Sequence, residues 1–397
     1  MNLARLALRD LRARPAQPLL AMLLTALAVA LLAALLSFVD QFDKRMVRDA
    51  AGIDLVVGAK GSPLQLVLSG VYHLDVPPGN ILLAEAEALR KNRLVADVIP
   101  LALGDNYRGH RIVGAGHAYM DLYGGQLAAG RRYDEPMEAV LGSDAAKSTG
   151  LGVGARFAGT HGLGEGGHEH EEDTYEVTGV LAPTGTVLDR LILTPVESVW
   201  WLHAGHAEDD AEFEQARREV TVALVRYASP TAMVLLPRRI NAETSLQAAS
   251  PAFEMARLMT LLGTGRDALA ALAGVLLLAA GAALVAGLMA ALSARRYELA
   301  VMRMLGASRG VLFAGVLIEA ALIGLSGALA GLLLGHGFLA ALGTWLSVAG
   351  QPVVLPWHFA PLEFWLPPLA LAAALLAGLW PAWQAARSDV AAVLARG

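Results

Sequence analysis

Four stretches of this 397-residue chain are long and apolar enough to cross a hydrocarbon layer, which takes roughly 20 helical residues. They run over Pro18–Val39, Ala268–Ser293, Val311–Phe338 and Leu362–Trp383. The first three carry almost no charge. The fourth has Glu363, Pro367 and Pro368 near its start, where a missing N–H costs a helix least. Charged residues make up 17% of the chain, against about 25% in a typical soluble domain. The mean hydropathy is +0.49. A disordered or nucleic-acid-coating protein is excluded, and an ordinary soluble enzyme is a poor fit. The chain has no cysteine, so disulfides and thiolate metal sites are excluded as well.

Charge is unevenly placed. Between Asp40 and Asp267, 21 Lys and Arg stand against 31 Asp and Glu; the remaining residues carry 10 and 5. Arg5, Arg9, Arg12 and Arg14 precede the first apolar stretch, and Arg295, Arg296, Arg303 and Arg309 separate the second from the third. Arg387 and Arg396 follow the fourth, whereas residues 339–361 contain no Lys or Arg. Short basic flanks stay on the cytoplasmic side. The expected order is a cytoplasmic segment 1–17, an extracytoplasmic domain 40–267, a cytoplasmic segment 294–310, an outer loop 339–361 and a cytoplasmic tail 384–397. Trp345, Trp357 and Trp365 suit the outer interface, and Trp380 and Trp383 the inner one. The first stretch is read as an uncleaved anchor, because Ser37-Phe38-Val39-Asp40 is not a small-x-small cleavage site. Leu3, Leu6, Ala7 and Leu11 share a helical face, which suggests a short amphipathic helix on the inner leaflet; a basic tail is the alternative.

The long segment between the first two spans can bury a core of its own. Short apolar runs bounded by Gly, Pro and Asp predict strands at Ile53–Val57, Val95–Leu103, Arg111–Val113, Ala139–Leu141, Tyr175–Leu181, Leu191–Leu193 and Val220–Tyr227. Helices are expected at Ile81–Asn92, Glu208–Glu219 and Asn241–Leu262. The fold class is therefore an α-helical membrane protein with four transmembrane helices. A large extracytoplasmic α+β domain on helical stalks is inserted between helices 1 and 2.

Several residues stand out. In the segment after the second span, Leu299, Met302 and Leu305 form an apolar face flanked by Glu298 and Arg309, with Gly306 and Ser308 as stop and restart. An exposed apolar helix with basic ends suits docking into a groove on a cytoplasmic partner. A purely topogenic loop explains Arg296 and Arg303 but not the apolar face. Glu319 is a carboxylate inside the third span, a costly place that implies a protein or water partner. Gly327, Gly331 and Gly335 recur on one face, as a contact within the chain or as a dimer seam, with His336 beside them.

His161, His168 and His170 lie among five acids in a glycine-rich segment, and His203 and His206 form an i, i+3 pair. Imidazole and carboxylate suit Zn²⁺; a solvated loop is the alternative. Gly58-Ala59-Lys60-Gly61-Ser62 lacks the spacing of a phosphate-binding loop, and no nucleophile–base pattern is recognisable. Gly52–Asn80, with Lys60 and His73, reads as a structural connection.

Arg295-Arg296-Tyr297-Glu298-Leu299-Ala300-Val301-Met302-Arg303-Met304-Leu305-Gly306-Ala307-Ser308-Arg309 resembles the cytoplasmic signature of MacB/FtsX/LolC-type ABC permeases. Ile318-Glu319-Ala320 with Gly324, Gly327 and Gly331 resembles that family's third span, and Pro381-Ala382-Trp383-Gln384-Ala385-Ala386-Arg387 its usual ending. Ala139–Ala146, Leu151–Gly154 and Val177–Val180 resemble the MacB-like core domain. The resemblance implies an inner-membrane permease without its own ATPase. A separate ATPase would bind ATP and magnesium and engage residues 295–309. The permease would work as a homodimer, or as a pseudo-dimer with a related permease. A periplasmic adaptor or binding protein is a further implied partner. Export or extraction by mechanotransmission is the first expectation. FtsX-like signalling to an external enzyme, or zinc handling through the His/Glu segment, are the alternatives.

Overall fold

The computed structural model describes Arg9 and residues 16–160, 169–203, 219–348, 355 and 357–387. The chain opens with one long helix, α1 (Ala16–Asp49), followed by β1 (Leu55–Ala59), α2 (Pro63–Gly70), β2 (Ile81–Leu82) and α3 (Leu83–Ala88). Next come β3 (Val95–Tyr107), β4 (His110–Ala115), α4 (His117–Leu122), β5 (Leu127–Gly130), β6 (Glu138–Leu141) and α5 (Ser143–Thr149). The middle continues through β7 (Arg156–Thr160), β8 (Glu169–Leu181), β9 (Ile192–Thr194), α6 (Val196–His203), β10 (Glu219–Val220) and β11 (Val222–Tyr227). It closes with α7 (Ala232–Glu243) and β12 (Leu246–Ala249). The last helices are α8 (Pro251–Ala294), α9 (Arg296–Met304), α10 (Arg309–Val348) and α11 (Leu366–Ala386). The chain divides into a helical unit and an intervening unit, with changeovers near Gln41 and Leu262.

In the intervening unit ten strands form one sheet in the order β12-β1-β11-β3-β4-β9-β6-β8-β5, with β7 against β3 and β8. The pairs β4·β9 and β6·β8 are parallel and the others antiparallel. Side chains alternate between the faces, as a period of two requires. Val56, Val113, Val140, Leu193, Val222 and Leu224 face one core, which also takes Leu66, Tyr72, Tyr119 and Met120. On the opposite face, Leu55, Val57, Ala223 and Val225 pack with Trp200, Leu236 and Ile240. Ile112, Ala139, Leu141 and Ile192 pack there with Ala145, Phe157 and Tyr175 in a separate cluster. One core thus lies on one face of the sheet and two on the other.

Local signals explain the elements. Ser62 caps α2, its hydroxyl accepting from the Gln65 amide at 3.4 Å, and Pro63 opens the first turn. The β3–β4 hairpin turns on Arg108 and Gly109, with φ of 48° and 82°. Two successive positive φ values match the right-handed twist of the flanking strands. Gly142 joins β6 to α5 where a Cβ would lie 2.0 Å from the Leu188 carbonyl oxygen, so only glycine fits.

The helix expected at Asn241–Leu262 is instead two helices with a strand between them. The Asn241 side chain takes the Ala248 amide at 2.7 Å and donates to its carbonyl at 3.1 Å. Residues Leu246–Ala249 then pair with β1 before Pro251 restarts the helix. The expectation at Glu208–Glu219 falls almost wholly outside the described residues.

The helical unit holds the apolar lengths of α1, α8, α10 and α11, each long and apolar enough to span a membrane. Ala21, Leu284, Leu288, Val316, Ala320 and Ala374 share one cluster drawn from all four helices. Val29, Ala33, Ala328, Leu366 and Ala370 form a second.

Candidate functional site

The segment after α8 is a short helix with a defined stop and restart. Leu305 closes α9, and Gly306 follows with φ of 96°. The Gly306 amide donates to the Arg303 carbonyl at 3.1 Å, and the Ala307 amide to the Met302 carbonyl at 3.0 Å. This pair of reversed bonds is the Schellman ending, which needs a left-handed residue at Gly306. Ser308 caps the next helix, its hydroxyl accepting from the Val311 amide at 3.3 Å.

The exposed face of α9 differs in part from the expected one. Ala300 is buried, and Leu299, Met302 and Arg303 are half-buried. Tyr297, Glu298, Met304 and Leu305 are exposed, Leu305 the most at 83%. Tyr297 and Met304 are seven residues apart, as are Glu298 and Leu305, so each pair falls on one side of a helix. Of the expected apolar face of Leu299, Met302 and Leu305, which follows hydrophobicity alone, Leu305 is the exposed member. Arg296 opens the helix.

The glycine stripe on α10 is a contact within the chain. A Cβ on Gly327 would lie 3.0 Å from the Met22 carbonyl oxygen, one on Gly331 2.6 Å from that of Ala26, and one on Gly335 2.8 Å from that of Ala30. Gly324 approaches Ala374 and Gly378 approaches Ala320 in the same way, at 2.4 and 2.8 Å. The central helix α10 is thus in backbone contact with α1 on one side and α11 on another, which only small residues allow. Glu319 is half-buried beside Ala320.

Two histidine–carboxylate pairs close one end of the helical unit. His336 and Glu363 are both buried and 2.9 Å apart, and the ring lies 4.3 Å from that of Phe359. The other oxygen of Glu363 accepts from the Ala360 amide at 3.0 Å. His358 reaches Asp40 at 2.6 Å, and Gln41 both donates to and accepts from the Leu355 backbone. The sequence places His336 beside the glycine stripe, and no local signal points to a carboxylate 27 positions away.

The intervening unit contains an open cleft of about 470 Å³ beside Arg90, His117, Tyr133, Glu197 and Trp200. Several of its polar groups are internally engaged: Arg90 with Asp97 and the Val98 carbonyl, His117 with the Tyr133 carbonyl, and the Trp200 indole with the Glu219 carbonyl. His73 is buried and meets the Tyr119 hydroxyl at 2.9 Å, in keeping with a structural connection. The zinc-ligand expectation lies outside what is described: His161, His168 and His206 are not among the described residues, and the side chains of His170 and His203 are not described. Among the described residues no group of three His, Asp or Glu is placed to hold a metal.

The family model of the FtsX-like permease C-terminal region matches residues 270–390, covering most of α8 and all of α9, α10 and α11. The model of the MacB-like periplasmic core domain matches residues 19–243, more than half of the chain. The chain belongs to the MacB/FtsX-type permease family. Members are transmembrane components of ABC transporters and normally work with a separate ATPase. Among solved structures, the periplasmic region of MacB from Actinobacillus actinomycetemcomitans is similar at 13% identity and a TM-score of 0.34, over 53% of this chain and 95% of that one. The extracellular domain of the noncanonic ABC-type transporter YknZ from Gram-positive bacteria is similar at 15% identity and a TM-score of 0.30, over 50% and 99%. No curated protein matches the sequence.

Proposed function

We propose that this permease transmits motion: a separate ATPase acts on its cytoplasmic face, and the periplasmic core domain moves in response to export or extract a substrate or lipoprotein. In this reading the chain lies in the inner membrane with both termini cytoplasmic, and two permease chains work together. One observation carries it. Helices α1 and α8 each continue, unbroken, from an apolar segment into the same core of the periplasmic domain. Phe42 and Met46 enter that core from α1, and Met255, Leu258 and Met259 from α8. In this reading a displacement of either helix is passed along the helix itself to the residues that it places in the domain core.

The ATPase contact is assigned to the exposed face of α9, centred on Met304 and Leu305. A charge placed in an apolar contact loses its hydration without gaining a partner. Leu305→Asp is expected to abolish co-purification of the ATPase while leaving membrane insertion intact. Retained co-purification with coupled ATP hydrolysis would reduce α9 to a topogenic loop.

A further inference from the structure

The two long helices enter the periplasmic domain on different terms. The last two turns of α1 are held by polar groups. Tyr72 donates its hydroxyl to the Met46 carbonyl at 3.3 Å, and Tyr123 donates to the Asp49 carbonyl. The Asp49 carboxylate is fully buried and faces Arg190 at 3.7 Å. Arg190 donates in turn to the Tyr72 carbonyl at 2.6 Å. Asp49, Arg190 and Tyr72 thus form a closed ring around the end of the helix. Tyr123 forms a second point of attachment, and its ring meets Tyr119 edge-on, 5.6 Å away. The hydrogen bonds of Tyr72 and Tyr123 to α1 are directional and oppose both rotation and displacement along the axis, while Asp49 and Arg190 add an ion pair without a hydrogen bond.

The start of α8 lies in the same core but is held differently. Met255, Leu258 and Met259 pack there through apolar atoms. Its buried acid, Glu254, has Arg257 of the same helix 3.9 Å away. Among the described residues, no hydrogen bond ties Pro251–Thr260 to the domain beyond Ser250. Apolar contacts resist separation and hold register less strictly than hydrogen bonds, and unbranched methionines refill gaps as neighbours shift. Packed helices slide by small shears on such surfaces.

We infer that Asp49, Arg190, Tyr72 and Tyr123 are positioning residues that lock α1 to the periplasmic domain, whereas α8 slides against the same core. The inference rests on the reading of these helices as transmitters of motion. It assigns them unequal parts: α1 carries the domain, and α8 changes its reach into it.

The chain has no native cysteine, so introduced cysteines carry spin labels without background. Val47→Cys with Val153→Cys reports on α1, and Ala256→Cys with Val153→Cys on α8; all three positions are exposed. Distances are measured on the full chain in lipid nanodiscs. The expected result is a single narrow distance for 47/153 and a broader distribution for 256/153. Tyr72→Phe with Tyr123→Phe removes two hydroxyls and keeps both rings. It should broaden 47/153 and leave 256/153 unchanged. Arg190→Met breaks the ring outright, but it strands a buried carboxylate and can unfold the domain, so the tyrosine pair is the deciding variant. The inference is overturned if 47/153 is no narrower than 256/153. It is also overturned if the double variant leaves 47/153 unchanged, or broadens both distributions alike as general loosening would. Loss of ATPase pairing would sink the functional reading but would not move these distances.

Discussion

Gly331 of α10 sits directly against Val29 of α1: a Cβ on the glycine would lie 2.7 Å from that of the valine. No real pair of Cβ atoms comes so close, so the two backbones meet where the glycine side chain is missing. Gly331→Leu should therefore push the helices apart and lower stability by about 1–3 kcal/mol, the usual cost of overpacking. Gly337 on the same helix has open space around its Cβ position, so Gly337→Ala should be neutral or stabilising by up to about 1 kcal/mol. Thermal unfolding midpoints in detergent check both, and equal effects would refute the packing assignment.

The pair of His336 and Glu363 should behave as one unit. Removing either partner leaves a buried polar group unsatisfied, at about 1–3 kcal/mol. His336→Phe with Glu363→Leu removes both, so its cost should fall well below the sum of the single changes. A double-mutant cycle on unfolding midpoints measures this coupling. Additive effects would mean that the contact contributes little.

Acid should destabilise the periplasmic domain through two buried histidines. Burial holds the His73 imidazole well below its usual range, and Arg111 and Arg190 push it further down. Burial also lowers His110, against the raising effect of its bond to the Arg190 carbonyl and of Asp144. His110 donates from Nδ1 to that carbonyl at 2.9 Å, so its Nε2 is the acceptor for Ser148, 2.6 Å away. Proton uptake turns Nε2 into a donor, so the Ser148 hydroxyl becomes its acceptor and turns its own proton to the Ala145 carbonyl, 3.2 Å away. The folded pKa values lie below the unfolded value of about 6.5, so the unfolded chain takes up protons first as pH falls. Stability from these groups is therefore complete above about pH 6.5 and declines below it, by roughly 1.4 kcal/mol per pH unit for each group. Unfolding of the full chain between pH 7.5 and 5 should show this slope, and His73→Gln with His110→Gln should flatten it. An unchanged slope in the double variant would place the acid sensitivity elsewhere.

The four apolar lengths were legible because a hydrocarbon-spanning helix needs a run of a fixed minimum size, and nothing else in a sequence looks like it. The strands at Val95–Leu103 and Tyr175–Leu181 were legible from their short apolar runs. Both observed strands extend beyond those runs into polar residues, since β3 continues to Tyr107 and β8 starts at Glu169. Strand β12 was hidden inside a helical pattern because its pairing with β1 is decided by residues nearly two hundred positions away. The glycine stripe was visible, but its partner was not, since the complementary face of α1 is ordinary alanine and valine. Arg190 stands 141 positions from Asp49, and neither has a neighbour that marks it as buried. Such pairs are products of tertiary packing and leave no local trace.

The histidine-rich segment joins β7 to β8, which pair as antiparallel strands at Thr160 and Glu169. If it carries zinc, the full chain should take up the ion in calorimetric titration, and His161→Ala with His168→Ala and His170→Ala should lose that uptake. Neutral imidazole is the ligand, so affinity should weaken as pH falls through about 6.5. Equal uptake by both proteins, or none at micromolar zinc, would leave a solvated loop.

The central claim is that work done by an ATPase reaches the periplasmic domain through α1 and α8. Spin labels at Val47→Cys and Ala256→Cys report the separation of the two helices where they enter that domain. They are measured in the complex of full-length permease with the ATPase that co-purifies with it. The account predicts that this distance shifts when ATP is bound under conditions that block hydrolysis. It also predicts that the shift is absent in a permease carrying Leu305→Asp. A distance that stays the same with and without ATP, in a complex that hydrolyses ATP normally, would contradict it.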